Sequence, residues 1–269
     1  DAEIRANLEC MVEELEARLP EPVAARAVAM IQLAAEKVIA ASSETPTFLG
    51  GDGEHIHLAR HFLLAVLEAR EKDAIRLVLE AFEGGATIFE LYEHVLHRVQ
   101  KEIGRMWQMD EASIAEEHLC TGIVTELLTL MRSRAEPVMA NNRRVITGTV
   151  SNETHALGIV LVSQAFESCG WTAVSLGVNT PAPAIVGAVR DFGGDVIALS
   201  ANMALYIRQT ADLIAGLRAH PITADIPIIV GGQPFNVVDD LWQVIGADGS
   251  ASNAMECPAV ADRLLASRS

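Results

Sequence analysis

The sequence predicts two architectures in one chain: a bundle of helices, then a doubly wound domain of parallel strands covered by helices. Three observations carry that expectation. Apolar residues recur near the helical period of about 3.6 through most of residues 2–135. The period then changes, after the polar stretch "RAEPVMANNRR" at 134–144. Beyond it, short β-branched runs alternate with helical ones, the pattern of a parallel sheet buried on both faces.

Helices are expected first over 2–18 and 22–41, with Pro20 and Pro22 between them. The stretch "ASSETPTFLGGDGEH" (41–55) is rich in Ser, Thr, Pro and Gly and reads as a loop. Four more helices follow at about 56–70, 73–83, 87–107 and 112–134. The short links "EGG" (83–85) and around Asp110 make them antiparallel neighbours in a four-helix bundle. Strands are expected at 144–150, 172–176, 195–200 and 226–230, with a weaker one at 244–247. Helical runs lie between and after them, at about 157–169, 182–192, 204–219, 234–243 and 257–267. The chain is thus expected to divide into a helical extension (1–41), a bundle (54–135) and an α/β domain (143–269).

Composition narrows the function. Half of the 269 residues are hydrophobic, yet no apolar run approaches the ~20 residues of a membrane span. The chain does not open on a basic segment followed by an apolar one, so no signal peptide is expected. The four cysteines, at 10, 120, 169 and 257, have no metal-ligand spacing. Reduced thiols in the cytoplasm are the simplest reading. Net charge is −16, and both halves are acidic: 25 acids to 15 bases over 1–150, and 11 to 5 over 151–269. A nucleic-acid binder needs a basic face. Small molecules or other proteins are the expected partners.

The loop "SNETHALG" (151–158) follows the first strand. Parallel sheets bind ligands beyond the carboxyl ends of their strands, and His155 stands at such an end. One reading is a loop histidine making ordinary hydrogen bonds. The other is a metal ligand, with one ring nitrogen on the metal and the other donating to a carboxylate such as Glu153. Gly158 would let a helix start close to a bulky ligand. A lone histidine suits a metal already held by a macrocycle, since bare zinc needs at least three protein ligands.

From Gly158, 41 residues lead to Ser200; from Asn202, 28 lead to Gly231-Gly232. These elements resemble the cobalamin-binding signature Asp-x-His-x-x-Gly, Ser-x-Leu and Gly-Gly. The resemblance implies a flavodoxin-like, Rossmann-like cobalamin-binding domain. It also implies that the cofactor's own base leaves cobalt and enters a slot in the sheet domain. His155 would take its place as lower axial ligand, held by Glu153 in a loop that includes Asn152. Gly158, Ser200, Asn202, Gly231 and Gly232 would border the tail. Glu153 replaces the usual Asp and Asn202 the usual Leu.

The bundle carries a second resemblance. In "GRMWQMDEASIAEEHL" (104–119), Trp107 is followed after nine residues by Glu117-His118. This is similar to the Trp-nine-Glu-His signature of cobalamin-dependent photoreceptors of the CarH type, in which the bundle caps the upper corrin face. Read singly, Trp107 is a core aromatic, and Glu117 and His118 are a solvated face beyond a cap at Ser113. Two features depart from that family. Two short acidic helices are expected where that family carries its DNA-binding module, and Gln108 stands where the photoreceptors place a histidine that captures cobalt after light.

The resemblance therefore implies a cytoplasmic light sensor, not an enzyme, that binds cobalamin (adenosylcobalamin or another form) and signals through protein contacts. The photocobilins, a subgroup of similar layout, add a bilin such as biliverdin. For its carboxylates, Arg98, Lys101 and Arg105 lie on the helix leading to Trp107. Cys120 is either its attachment point or an unreactive buried thiol. The alternative is a corrinoid methyl-carrier protein of a methyltransferase system, whose upper face stays open to partners. A cobalamin store or chaperone explains the loop but not the cap. The partners left open are chromophores, an unidentified protein and a second copy of the chain; DNA and membrane are excluded. His55, His57, His94 and His97 read as structural or surface residues, with His94 or His97 able to face a ligand.

Overall fold

Pro20 lies between the first two helices, α1 (Ala2–Arg18) and α2 (Glu21–Ala40), and Pro22 occupies the first turn of α2, where a missing N–H costs nothing. The computed structural model describes residues 2–40 and 46–268. Residues 41–45 of the expected 41–55 loop lie outside the described residues, as do Asp1 and Ser269 at the ends of the expected domains. The chain forms two units, Asp1–Gly50 and Gly51–Ser269. In the first, α1 and α2 pack together around a groove lined by Leu8, Val12, Ile31 and Ala35.

The second unit begins with the bundle. Its helices are α3 (Ile56–Leu67), α4 (Glu71–Glu83), α5 (Ile88–Leu91), α6 (His97–Gln108) and α7 (Ile114–Arg134). Between α5 and α6 the helix widens into a π-helical turn, Tyr92–Leu96. Capping boxes fix two starts: Thr87 with Glu90, and Ser113 with Glu116. Apolar faces at helical spacing supply the core, including Phe62, Val78, Leu96, Ile103 and Leu127.

Five parallel strands follow: β1 (Arg144–Thr149), β2 (Thr172–Ser175), β3 (Val196–Ser200), β4 (Ile228–Gly231) and β5 (Gly249–Ser250). Their order is β2-β1-β3-β4-β5, that of a flavodoxin-like sheet. Side chains alternate across it. Ile197 and Leu199 join a core with Ile185, Leu213 and Leu217, contributed by α9 (Ala182–Phe192) and α10 (Ile207–Arg218). Val196 and Ala198 join the opposite core with Phe166 and Val260. Helices α8 (Leu157–Ser168), α11 (Gln233–Val237), α12 (Leu241–Val244) and α13 (Cys257–Ala266) complete the domain, and α8 and α13 cover this second face. The bundle meets the sheet domain where Gln164 Nε2 donates to the Leu128 carbonyl at 3.1 Å and Arg132 pairs with Glu167.

Two local expectations are corrected. The strand expected at 244–247 is instead the end of α12 and the turn after it. Asp240 adopts the left-handed region (φ 57°) and starts a helix there, and the fifth strand is the two-residue β5. The helix expected over 234–243 is two short ones, because Val238 turns extended between them.

Candidate functional site

The first strand ends at Thr149 and delivers the chain into the histidine loop. Asn152 takes the left-handed region (φ 68°), which asparagine tolerates better than most residues. Its N–H donates to Asn179 Oδ1 at 2.8 Å, and its carbonyl accepts from the Tyr206 hydroxyl at 3.0 Å. Thr149 Oγ1 donates to the Glu153 carbonyl at 2.9 Å. The segments after β2 and β3 thus brace this loop, together with Thr149 at the end of its own strand.

Glu153 is fully buried. Its Oε1 accepts from the His155 N–H at 3.0 Å and pairs with His155 Nδ1, and its Oε2 accepts from the Asn202 N–H at 2.9 Å. Burial pushes the carboxyl up. Donation from the backbone and ring of His155 and from Asn202 outweighs it, so the group sits below the ordinary carboxylate value. An ionised Glu153 accepts Nδ1–H and leaves Nε2 of the half-exposed ring with its lone pair for a metal.

Strand register assembles the rest. Thr149 lies opposite Ser200, and Ser200 opposite Gly231, so three strand ends stand side by side where strand order reverses. Gly158 opens onto Ser200: a Cβ there would lie 3.5 Å from Ser200 Oγ. Gly232 (φ 120°) has no such room, because a Cβ would meet the Ala201 carbonyl oxygen at 2.1 Å. Gly158, Ser200, Asn202, Gly231 and Gly232 all line a cavity of about 760 Å³ between bundle and sheet domain.

The bundle side of that cavity is Phe89, Glu90, Tyr92, Glu93, His94, His97 and Lys101. The sequence offered His94 or His97 as able to face a ligand, but gave no sign of the π-helical turn at Tyr92–Leu96. Tyr92 and His97 stack, with centroids 5.4 Å apart and planes 8° from parallel. Burial pushes the Tyr92 phenol up to about 12. Burial also lowers His97 below the ordinary imidazole value, helped by Lys101 and opposed by Glu93.

Trp107, Glu117 and His118 are not on this wall. Trp107 is 48% exposed, and His118 Nδ1 pairs with Glu117 Oε2 at 2.6 Å at the surface. Arg105 is held by Glu102 and Glu111. Cys120 is buried, and burial, with Glu117 nearby, pushes its thiol up to about 12, which leaves a poor nucleophile for attaching a chromophore.

The residues fit a metal-centred macrocycle better than a bare ion. Among the described residues no three His, Cys, Asp or Glu side chains come together as metal ligands. The arrangement present is a single carboxylate-held histidine three residues ahead of Gly158, a lining residue of the large cavity; Asn152, Glu153 and His155 do not themselves line it. Among the described residues no helix is long and apolar enough to cross a membrane.

Comparison with known proteins agrees with this geometry. Residues 143–258 match a family described as B12 binding domain, and residues 58–131 match a second family of the same description. Dimethylamine corrinoid protein 1 of Methanosarcina acetivorans is 25% identical over 73% of this chain and 92% of its own length. Trimethylamine corrinoid protein 2 of Methanosarcina mazei is 25% identical over 70% and 88%. The structure of the Methanosarcina barkeri monomethylamine corrinoid protein superposes with a TM-score of 0.64 at 22% identity, covering 78% of this chain and 99% of that one, and shows the shared fold. These findings overturn the light-sensor reading and favour its alternative, because the relatives are corrinoid proteins matched over nearly their whole length. In this arrangement Trp107, Glu117 and His118 stand apart from the bundle residues that line the cavity. The bilin expectation finds no support in these relatives.

Proposed function

Because the chain belongs to the cobalamin-binding family, we propose that it is a corrinoid carrier protein of a methyltransferase system, not itself an enzyme, serving a methylamine or a similar small methyl donor. The observation that carries this reading is the buried Glu153, paired with His155 and tied through the Asn202 N–H to the cavity wall. Cobalamin, when bound, supplies a cobalt centre that accepts a methyl group and gives it up. His155 Nε2 would hold that cobalt. Glu153 keeps the Nδ1 proton in place and fixes the ring. Asn152 shapes the loop, and Gly158, Ser200, Asn202, Gly231 and Gly232 border the tail. Tyr92, His94 and His97 cover the other side of the cavity and keep water from it. Trp107, Glu117 and His118 are candidates for the cofactor's upper face only in a rearranged bundle, since none lines the cavity in this arrangement.

The four cysteines are free, in keeping with a cytoplasmic protein. The partner in this reading is a methyltransferase that reaches the cofactor when the bundle moves aside. The test loads the purified chain with hydroxocobalamin, reduces the cobalt to Co(I) with a low-potential chemical reductant, and adds a methylamine, its methyltransferase and a thiol-accepting methyltransferase with its thiol. Methylated thiol should form only with the chain present, and His155→Ala should both change the cobalamin spectrum and lower transfer. A chain that holds cobalamin yet supports no transfer from mono-, di- or trimethylamine would refute the carrier role.

A further inference from the structure

The cavity wall changes character along the strands. Its polar groups, such as Ser200, Asn202 and Asn253, belong to strand ends and the loops beyond them. Further back the wall is made by Val162 of α8, Ala198 of β3, Ile229 of β4 and Cys257 of α13. These four share one apolar cluster on the same face of the sheet. Ala198 and Ile229 are register partners, so their backbone groups are committed to the ladder between β3 and β4. Cys257 Sγ lies 3.7 Å from the Asn253 carbonyl oxygen, and its burial pushes the thiol up to about 12.

The side chains of this inner recess are three hydrocarbons and one thiol, and that thiol is already directed at the Asn253 carbonyl. A hydroxyl or amino group brought against them would lose its water without a strong side-chain partner to replace it.

We infer that the recess selects the nucleotide base of a corrinoid by polarity: it takes a benzimidazole bearing only methyl groups and disfavours hydroxylated benzimidazoles and purines. This rests on the reading that a corrinoid is bound with its tail inside the sheet domain. It adds which tail the chain accepts. The recess bottom, not His155, sets that choice, because the lower ligand is the same for every tail.

The test titrates the full chain with three corrinoids alike in ring and cobalt. Their tails are dimethylbenzimidazole, hydroxybenzimidazole and adenine. Dissociation constants come from the absorbance change, and electron paramagnetic resonance of the Co(II) forms reports whether the tail base has left cobalt. The dimethylbenzimidazole form should bind roughly tenfold or more tightly than the other two, the size of effect an unpaired buried polar group produces. Ala198→Ser puts a hydroxyl on the recess wall and should narrow the gap; the unaltered chain carries the test by itself. Equal affinities, with every tail displaced from cobalt, would overturn the inference while leaving corrinoid binding intact. Failure of all three to bind, or binding with the tail still on cobalt, would bring down the underlying reading and this inference with it.

Discussion

At Glu153 a carboxylate with no solvent exposure is kept ionised by donors from His155 and Asn202. Its folded-state pKa lies below its unfolded value despite the opposing effect of burial. The sign follows from linkage: the stabilisation is present above the unfolded pKa and is lost as pH falls through the folded one. Glu153→Gln sets an amide N–H₂ or a differently aimed oxygen against the same donors. It should cost the apo protein roughly 1–3 kcal/mol near neutral pH, the penalty of an unsatisfied buried group. The gap to the unaltered protein should close in acid, below the ordinary carboxylate range. Urea denaturation across pH measures this, and a gap constant down to strong acid would contradict it. The histidine loop was legible in the sequence because its chemistry is local: a strand, then Glu153 and His155 two residues apart. The braces from Asn179 and Tyr206 were not legible, since they arrive from loops after other strands.

The π-helical turn Tyr92–Leu96 shows what periodicity leaves out. In a regular α-helix, residues five apart point about 140° away from each other. The wider π-helical turn brings positions five apart nearly into line, and Tyr92 stacks on His97. The sequence reading gave one continuous helix over 87–107 because apolar residues continue through the turn, and a single π-turn hardly disturbs their spacing. The short β5 escaped for the opposite reason: two residues carry no period at all. The turn makes a prediction. The chain has two tyrosines, and the Tyr92 phenol should ionise only at about 12. Alkaline titration followed by near-ultraviolet absorbance should show that late phase, and Tyr92→Phe should remove it. A Tyr92→Phe curve identical to that of the unaltered protein would refute the burial that this turn imposes.

Over the whole molecule, charge and topology act on function differently. The net charge of −16 leaves no basic stripe to displace counterions from a phosphate backbone. Duplex DNA should not be retained at physiological salt, and a gel shift showing tight, salt-sensitive binding would contradict that. The order of strands, helical runs and links was legible because alternation repeats over the second half of the chain. Which cap motif mattered was not legible, since Trp107 and Glu117-His118 fix a spacing and not the wall they stand on. Topology has a further consequence, in time. The three strand ends at Thr149, Ser200 and Gly231 are neighbours in space but far apart along the chain. Joining them closes long loops, the slow part of folding for a parallel sheet. The recess does not exist until that closure is complete. A cofactor therefore has nothing to hold during the early collapse, and it can act on folding only as a latch on a finished domain, slowing its unfolding without guiding its formation.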